Sequence, residues 1–245
     1  MGAVADGGPD EVDPGPPEHL RGAAEQIFGD RLHLAIGFAA SLMHDGVIRG
    51  LIGPREAPRI WDRHLLNCAV VAELIPLDAR VLDVGSGAGL PGIVLAMARP
   101  DLSVILVEPL ARRTAFLSEV VASLGLAGVT VVRARAEELP GRAQPGPVDI
   151  VTARAVAPLD RLAAWCLPLA AVGGHVLAVK GGSAAEEIAV HGKTVTRLGG
   201  SAPVIRVCGA TLLPEPTTVV EIVRERDPAG SGRSARPPRR DRRTR

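Results

Sequence analysis

Apolar residues recur every three or four positions from His19 to about Val47. Leu20, Ala23, Ala24, Ile27 and Phe28 share one face, and after a break at Gly29-Asp30 the same rhythm runs from Leu32 to Val47, which predicts a pair of helices. Gly50, Gly53 and Pro54 mark a loop. Ile60 to Leu74 predicts another helix, with Trp61, Leu65, Cys68 and Val71 along one stripe. After Pro76 the period changes. Short β-branched runs at 80–84, 103–108, 128–133, 148–152, 174–180, 203–208 and 217–223 alternate with helical patterns at 90–99, 110–124, 158–171 and 183–197. Such alternation predicts an α/β fold, a mostly parallel, doubly wound sheet covered by helices on both faces. The last two runs have no helix between them, which predicts an antiparallel strand pair.

The ends of the chain have a different composition. Residues 1–17 are rich in Gly, Pro and acidic side chains and are predicted to be disordered. Residues 224–245 carry nine Arg against three acidic residues and read as a solvated basic tail. Between them lie a helical extension over 18–76 and an α/β domain over 77–223. The chain of 245 residues, 47% hydrophobic, is long enough to bury a sizeable core. No run of about 18 apolar residues is present, and the N-terminus is acidic and poor in apolar residues; neither a membrane span nor a secretory signal is expected. The expected location is the cytoplasm and the expected state a monomer. Cys68, Cys166 and Cys208 are odd in number and far apart, so reduced thiols are expected rather than a metal site or disulfide framework. Phe28, Phe38, Phe116, Trp61 and Trp165 are the aromatic residues, too few for an RNA-binding sheet platform that stacks bases.

The candidate chemistry is concentrated in residues 81–93, VLDVGSGAGLPGI. Gly85-Ser-Gly87-Ala-Gly89 is a compact glycine turn between a strand and a helix, where backbone N–H groups can approach a ligand closely. Gly87-Ala-Gly89-Leu-Pro-Gly92 also satisfies the dinucleotide pattern G-x-G-x-x-G. Asp83 bears on the choice between ligands. A pyrophosphate would be repelled by an acidic neighbour, whereas the sulfonium and ammonium of S-adenosylmethionine would not. Asp83 can also cap loop N–H groups, and the two roles are compatible. Glu108 ends the second strand run and can accept both hydroxyls of a ribose, which fits either ligand.

The same residues resemble the first motif of class I S-adenosylmethionine methyltransferases. Leu90-Pro91-Gly92 narrows the resemblance to the ribosomal RNA small-subunit methyltransferase G family, also called glucose-inhibited division protein B. Further similarities follow in order: Trp61-Asp-Arg63-His64, Glu108-Pro-Leu-Ala-Arg112-Arg113, Arg135-Ala136-Glu137-Glu138, Thr152-Ala-Arg154-Ala, and Ala178-Val-Lys180-Gly181. They span roughly residues 20–223. The chain departs from the family at Gly50-Leu-Ile-Gly-Pro-Arg55, where an Asn-Leu-Thr segment is usual. The resemblance implies a Rossmann-like class I methyltransferase fold and transfer of a methyl group to N7 of one guanine in 16S ribosomal RNA of the small subunit. It implies that Asp83, Gly85, Gly87, Gly89, Leu90, Glu108, Ala136 and Glu137 surround the cofactor, and that Arg154 lies at the methyl-transfer face as the catalytic candidate. Arg63, His64, Arg112, Arg113 and Lys180 become candidates for gripping RNA. The end of the fourth strand run lacks the Asp/Asn-Pro-Pro-aromatic tetrapeptide used on exocyclic amines, and no Cys follows a Pro as in carbon-5 methylation.

Two other readings stand beside this one. An NAD-dependent oxidoreductase would use the same glycine loop and Glu108 but needs a partnered proton donor, and none is evident in the sequence. A non-catalytic ribosome-binding factor would bind the cofactor without turnover. The tail generates a prediction of its own. Phosphate contacts carry no base information, so deleting 228–245 should weaken RNA binding and flatten its salt dependence while the modified nucleotide stays the same. Filter binding across a salt series checks this, and an unchanged slope contradicts it.

Overall fold

The computed structural model describes residues 13–140 and 145–227. The expectation of disorder over 1–17 falls partly on 1–12, outside the described residues. At 13–17, Pro16 is buried and the Trp61 ring N–H donates to the Pro14 carbonyl at 2.9 Å. Most of the basic tail, 228–245, also lies outside the described residues. Arg224 is still part of the domain, bridged to Gly200.

Helices α1 (Glu18–Phe28) and α2 (Leu32–Ser41) open the fold, and α1 buries Leu20, Ala24 and Phe28. The run from Ile60 to Leu74 is helical throughout but changes pitch. A π turn at Trp61–Leu65 passes into α3 (Leu66–Ala69) and then a 3-10 segment, Val70–Leu74. π turns are rare and concentrate at functional sites, because widening the helix re-aims the side chains that follow. Trp61, Leu65, Cys68 and Val71 are all buried, as their stripe predicts.

The strands are β1 (Arg80–Val84), β2 (Ser103–Val107), β3 (Val129–Val132), β4 (Val148–Arg154), β5 (Ala170–Lys180), β6 (Val204–Cys208) and β7 (Thr217–Val223). They form one sheet in the order β3-β2-β1-β4-β5-β7-β6. The first five run parallel, and β7 is antiparallel to both β5 and β6. The connecting helices are α4 (Gly92–Ala98), α5 (Ala111–Ser123), α6 (Leu159–Cys166) and α7 (Ala184–Arg197). One element differs from expectation. The helix expected over 158–171 ends at Cys166, a 3-10 turn holds Leu167–Leu169, and β5 begins at Ala170. Tertiary pairing overrides local periodicity here: Ala170 pairs with Val148, and the register then shifts before His175 meets Ile150. Gly174 allows the close approach, since a Cβ there would lie 2.8 Å from the Asp149 carbonyl oxygen.

Each face of the sheet has its own core. Val81, Val104, Leu106 and Ile150 point toward α1 to α5. Leu82, Val84, Val107, Val151 and Ala153 point toward α6 and α7. The N-terminal helices therefore share a face with α4, and this brings the π turn to the end of β4. Within the extension, Trp61 meets Phe28 of α1 edge-on at 6.3 Å between ring centroids. Trp61→Ala should cost about 3–5 kcal/mol of stability through the cavity it leaves. Urea unfolding measures this, and a loss within about 0.5 kcal/mol, typical of a surface position, would contradict the packing role.

Candidate active site

In a doubly wound sheet, ligands bind beyond the strand C-termini where neighbouring connections leave in opposite directions. Here that point lies between β1 and β4. A cavity of about 890 Å³ opens there. Gly85, Ser86, Gly87, Ala88 and Leu90 form its floor; Glu108 and Leu110 lie beside them, Ala136 and Glu137 on one wall, and Arg154, Val156 and Trp165 on the other. The glycine turn is held by its own backbone: the Gly85 and Ser86 N–H groups donate to the Val107 carbonyl at 2.9 and 3.1 Å. Gly87 has a φ of +56°, and a Cβ there would have no neighbour nearer than the Gly85 oxygen at 3.7 Å. Gly89, by contrast, is needed for packing, since its Cβ would fall 2.5 Å from Ile93. Glu108 is buried. Its carboxylate accepts the Gly87 N–H at 3.1 Å and the Leu110 N–H at 3.0 Å, and Arg113 stands 3.7 Å away. A carboxylate so placed retains lone pairs for a diol while holding the glycine turn to the end of β2.

Asp83 does not line this cavity. It is completely buried on the face of β1 that meets α4. Thr152 occupies the register position beside it on β4 and donates to Oδ1 at 2.9 Å, while the Gly92 N–H at the start of α4 donates to Oδ2 at 3.1 Å. The capping role weighed from sequence is the one these bonds describe. Burial pushes the Asp83 carboxyl up to about 6, and the two hydrogen bonds and the Arg154 charge oppose that rise.

A second cavity, of about 690 Å³, adjoins the first. His64, Arg154 and Ala155 line both. Arg63, Asn67, Lys180, Glu187 and Glu215 line the second alone. Ala155 has a φ of +53°, a left-handed conformation that costs a non-glycine residue energy and often marks a functional site. Arg154 donates to the Cys68 sulfur at 2.9 Å, the Arg63 carbonyl at 3.2 Å and His64 Nδ1 at 2.8 Å. Burial and the neighbouring Arg154 lower the His64 pKa, and the hydrogen bond from His64 lowers that of Glu56. Lys180 donates to Glu187 at 2.8 Å and to the Ala157 carbonyl at 3.0 Å.

Of the residues singled out from sequence, Gly85, Gly87, Leu90, Glu108, Ala136, Glu137 and Arg113 converge on the first cavity, Arg63 and Lys180 on the second, and His64 and Arg154 on both. Asp83 lies beneath the loop, Gly89 belongs to the loop but packs against Ile93 and does not line the cavity, and Arg112 is exposed on the first turn of α5. Sequence reasoning missed Thr152, Glu56 and Cys68. Thr152 carried a usable signal, because a polar residue in a buried strand must find a partner. Cys68 carried none, since its helical stripe reads simply as core. No group of three or more His, Cys, Asp or Glu side chains among the described residues could hold a metal ion. No helix among them is long and apolar enough to cross a membrane.

A parallel sheet ending in one antiparallel strand pair, with a glycine turn after β1 and a carboxylate after β2, is the architecture of class I methyltransferases. The family model for rRNA small subunit methyltransferase G matches residues 31–213. The ribosomal RNA small subunit methyltransferase G of Salinispora tropica is 65% identical over 222 residues, covering 89% of this chain and 92% of its own. That of Corynebacterium efficiens is 55% identical over 204 residues, 83% of this chain and 88% of its own. A solved O-methyltransferase from neocarzinostatin biosynthesis, in complex with S-adenosylmethionine and a naphthoic acid, shares the fold at a TM-score of 0.53 and 17% identity, covering 84% of this chain and 70% of that one. The chain belongs to the rRNA small subunit methyltransferase G family.

The buried carboxyl sets a pH dependence. Asp83 ordinarily titrates near 3.8 and in the fold near 6, so across that window the folded state binds more protons than the unfolded chain. Its contribution to stability is therefore greatest at low pH and declines as the pH rises toward 6. The stability of the wild type minus that of Asp83→Asn should fall between about pH 4 and about pH 6. Unfolding titrations of both proteins measure it, and a rising difference contradicts the assignment.

Proposed function

We propose that the first cavity holds S-adenosylmethionine and the second receives a guanine of 16S ribosomal RNA, whose N7 is methylated. The observation that carries this reading is that the two cavities meet at His64, Arg154 and Ala155, in a chain of the rRNA small subunit methyltransferase G family. The lining suits the cofactor. Gly87 leaves room where any side chain would intrude, Glu108 offers acceptors to ribose hydroxyls, and Leu90, Ala136 and Val156 give apolar walls. Bound there, S-adenosylmethionine supplies a methyl group on a positively charged sulfur.

The chain's own residues orient and exclude water. Neutral guanine presents the N7 lone pair in the plane of its ring, so no residue has to remove a proton. The demand on the protein is alignment, a proximity effect. Arg154 can donate to the O6 edge beside N7, as Arg reads guanine in other settings. Arg63 and Lys180 face the second cavity and suit RNA phosphates. Cys166 and Cys208 line neither cavity, and Cys68 enters only as an acceptor for Arg154, so a thiolate nucleophile has no place in the reaction. Family membership supports neither an oxidoreductase nor a non-catalytic factor.

Small subunits isolated from cells lacking the protein should acquire 7-methylguanosine on incubation with it and S-adenosylmethionine, detected by mass spectrometry of the digested RNA. Gly87→Val should abolish binding of S-adenosylhomocysteine in calorimetry, because a β-branched residue at positive φ is strained and its side chain enters the cavity. A methylated exocyclic amine, or tight NAD binding with none of S-adenosylhomocysteine, would overturn the reading.

A further inference from the structure

The acceptors that hold Arg154 are a thiol sulfur, a backbone carbonyl and an imidazole nitrogen. None of the three is a carboxylate, so none neutralises the guanidinium charge. Yet a carboxylate is close by. Glu56 lies on the far side of the His64 ring, with Oε2 3.0 Å from Nε2, and Oε1 accepts from Arg63 at 3.3 Å. His64 stands between cation and anion, 8% exposed.

The hydrogen bonds determine its tautomer. A guanidinium only donates, so Nδ1 presents its lone pair to Arg154, and Nε2 must carry the proton that Glu56 accepts. A second proton on the ring would remove the acceptor and set a cation against Arg154, which agrees with the lowered pKa of His64. The ring thus has two separable functions. Nδ1 anchors the guanidinium, and the bulk of the ring keeps it from closing onto Glu56. Without the Nδ1 acceptor, Arg154 would gain a direct ion pair with Glu56 and leave the wall between the cavities. The π turn at Trp61–Leu65 aims His64 at this wall, while Leu65, the next residue, remains wholly in the core.

We propose that neutral His64 is a positioning residue for methyl transfer, spacing Arg154 from Glu56 and holding its guanidinium at the wall shared by the two cavities. This rests on the reading of the second cavity as the site of the target guanine. His64 itself need not touch a reacting atom.

Two conservative variants separate the Nδ1 anchor from the Nε2 bond to Glu56. The amide oxygen of Asn stands where Nδ1 stands, and the amide nitrogen of Gln where Nε2 stands. His64→Asn retains the anchor for Arg154 and gives up the Glu56 bond; His64→Gln does the reverse. With full-length protein and unmodified small subunits, His64→Gln should lower kcat by about 10- to 100-fold, the scale of a small misplacement of a reacting group. KM for the subunit and Kd for S-adenosylhomocysteine should stay within about threefold, well under a factor of ten in binding. His64→Asn should recover most of the wild-type kcat. The proposal is overturned by equal kcat in wild type and His64→Gln, by a defect confined to KM, or by His64→Asn as impaired as His64→Gln. Loss of S-adenosylhomocysteine binding in His64→Asn would show that the ring merely supports the fold, and also overturns it. If the wild type forms no 7-methylguanosine, the functional reading fails and this proposal fails with it; a wild type that is active beside an unaffected His64→Gln removes the proposal alone.

Discussion

A carboxylate sealed inside a protein must be hydrogen-bonded or take up a proton, and Asp83 does the first at the cost of sitting near the second. Its two oxygens connect three elements: β1, which carries it; β4, through the Thr152 hydroxyl; and the start of α4, through the Gly92 N–H. The glycine turn runs between the strand that bears the carboxylate and the helix it grips, so the loop has little freedom left. Gly92 is part of the same constraint, since a Cβ there would lie 2.3 Å from Leu106 and 2.9 Å from the Asp83 carboxylate. The anion thus lies below the loop rather than in the cavity, while the buried carboxylate of Glu108 lines it.

Glu108 and Arg154 extend this arrangement in opposite directions from β1. Glu108 fastens the loop to the end of β2 and faces the first cavity. Arg154 ends β4 and reaches the N-terminal extension through Cys68, His64 and the Arg63 carbonyl. The extension is therefore a wall of the site as well as a cover for the sheet. Its buried Trp61 and Leu65 dock the helix, and the π turn within that helix directs the polar residues between them toward the strand ends. Helix packing and site geometry here depend on the same five residues.

Much of this was legible in the residue pattern. The change of period after Pro76, the β-branched runs and the absence of a helix before the last run led to the parallel sheet and its antiparallel end, because burial on two faces demands continuous apolar strands. The glycine turn and Glu108, both singled out from the sequence, line the first cavity, because a glycine turn after a strand and a carboxylate at the end of the next both lie at the strand C-termini. The segment 158–171 misled, because Ala and Leu at helical spacing say nothing of a partner strand some twenty residues upstream that draws Ala170 into the sheet.

By itself the sequence determined which stretches fold, with what period, and where a glycine turn joins strand to helix, because propensity, periodicity and glycine freedom act over a few neighbouring positions. Tertiary structure alone decided where the charged groups go. Asp83 turned inward because β4 presents Thr152 at the adjoining register. Arg113 lies beside Glu108 rather than out with Arg112. His64, a candidate for gripping RNA by the resemblance, stands between Arg154 and Glu56 because the extension packs on the same face as α4. A side chain's charge is written in the chain, but the partners of Arg154 come from elements as far as 91 positions away, and only folding brings those within hydrogen-bonding reach.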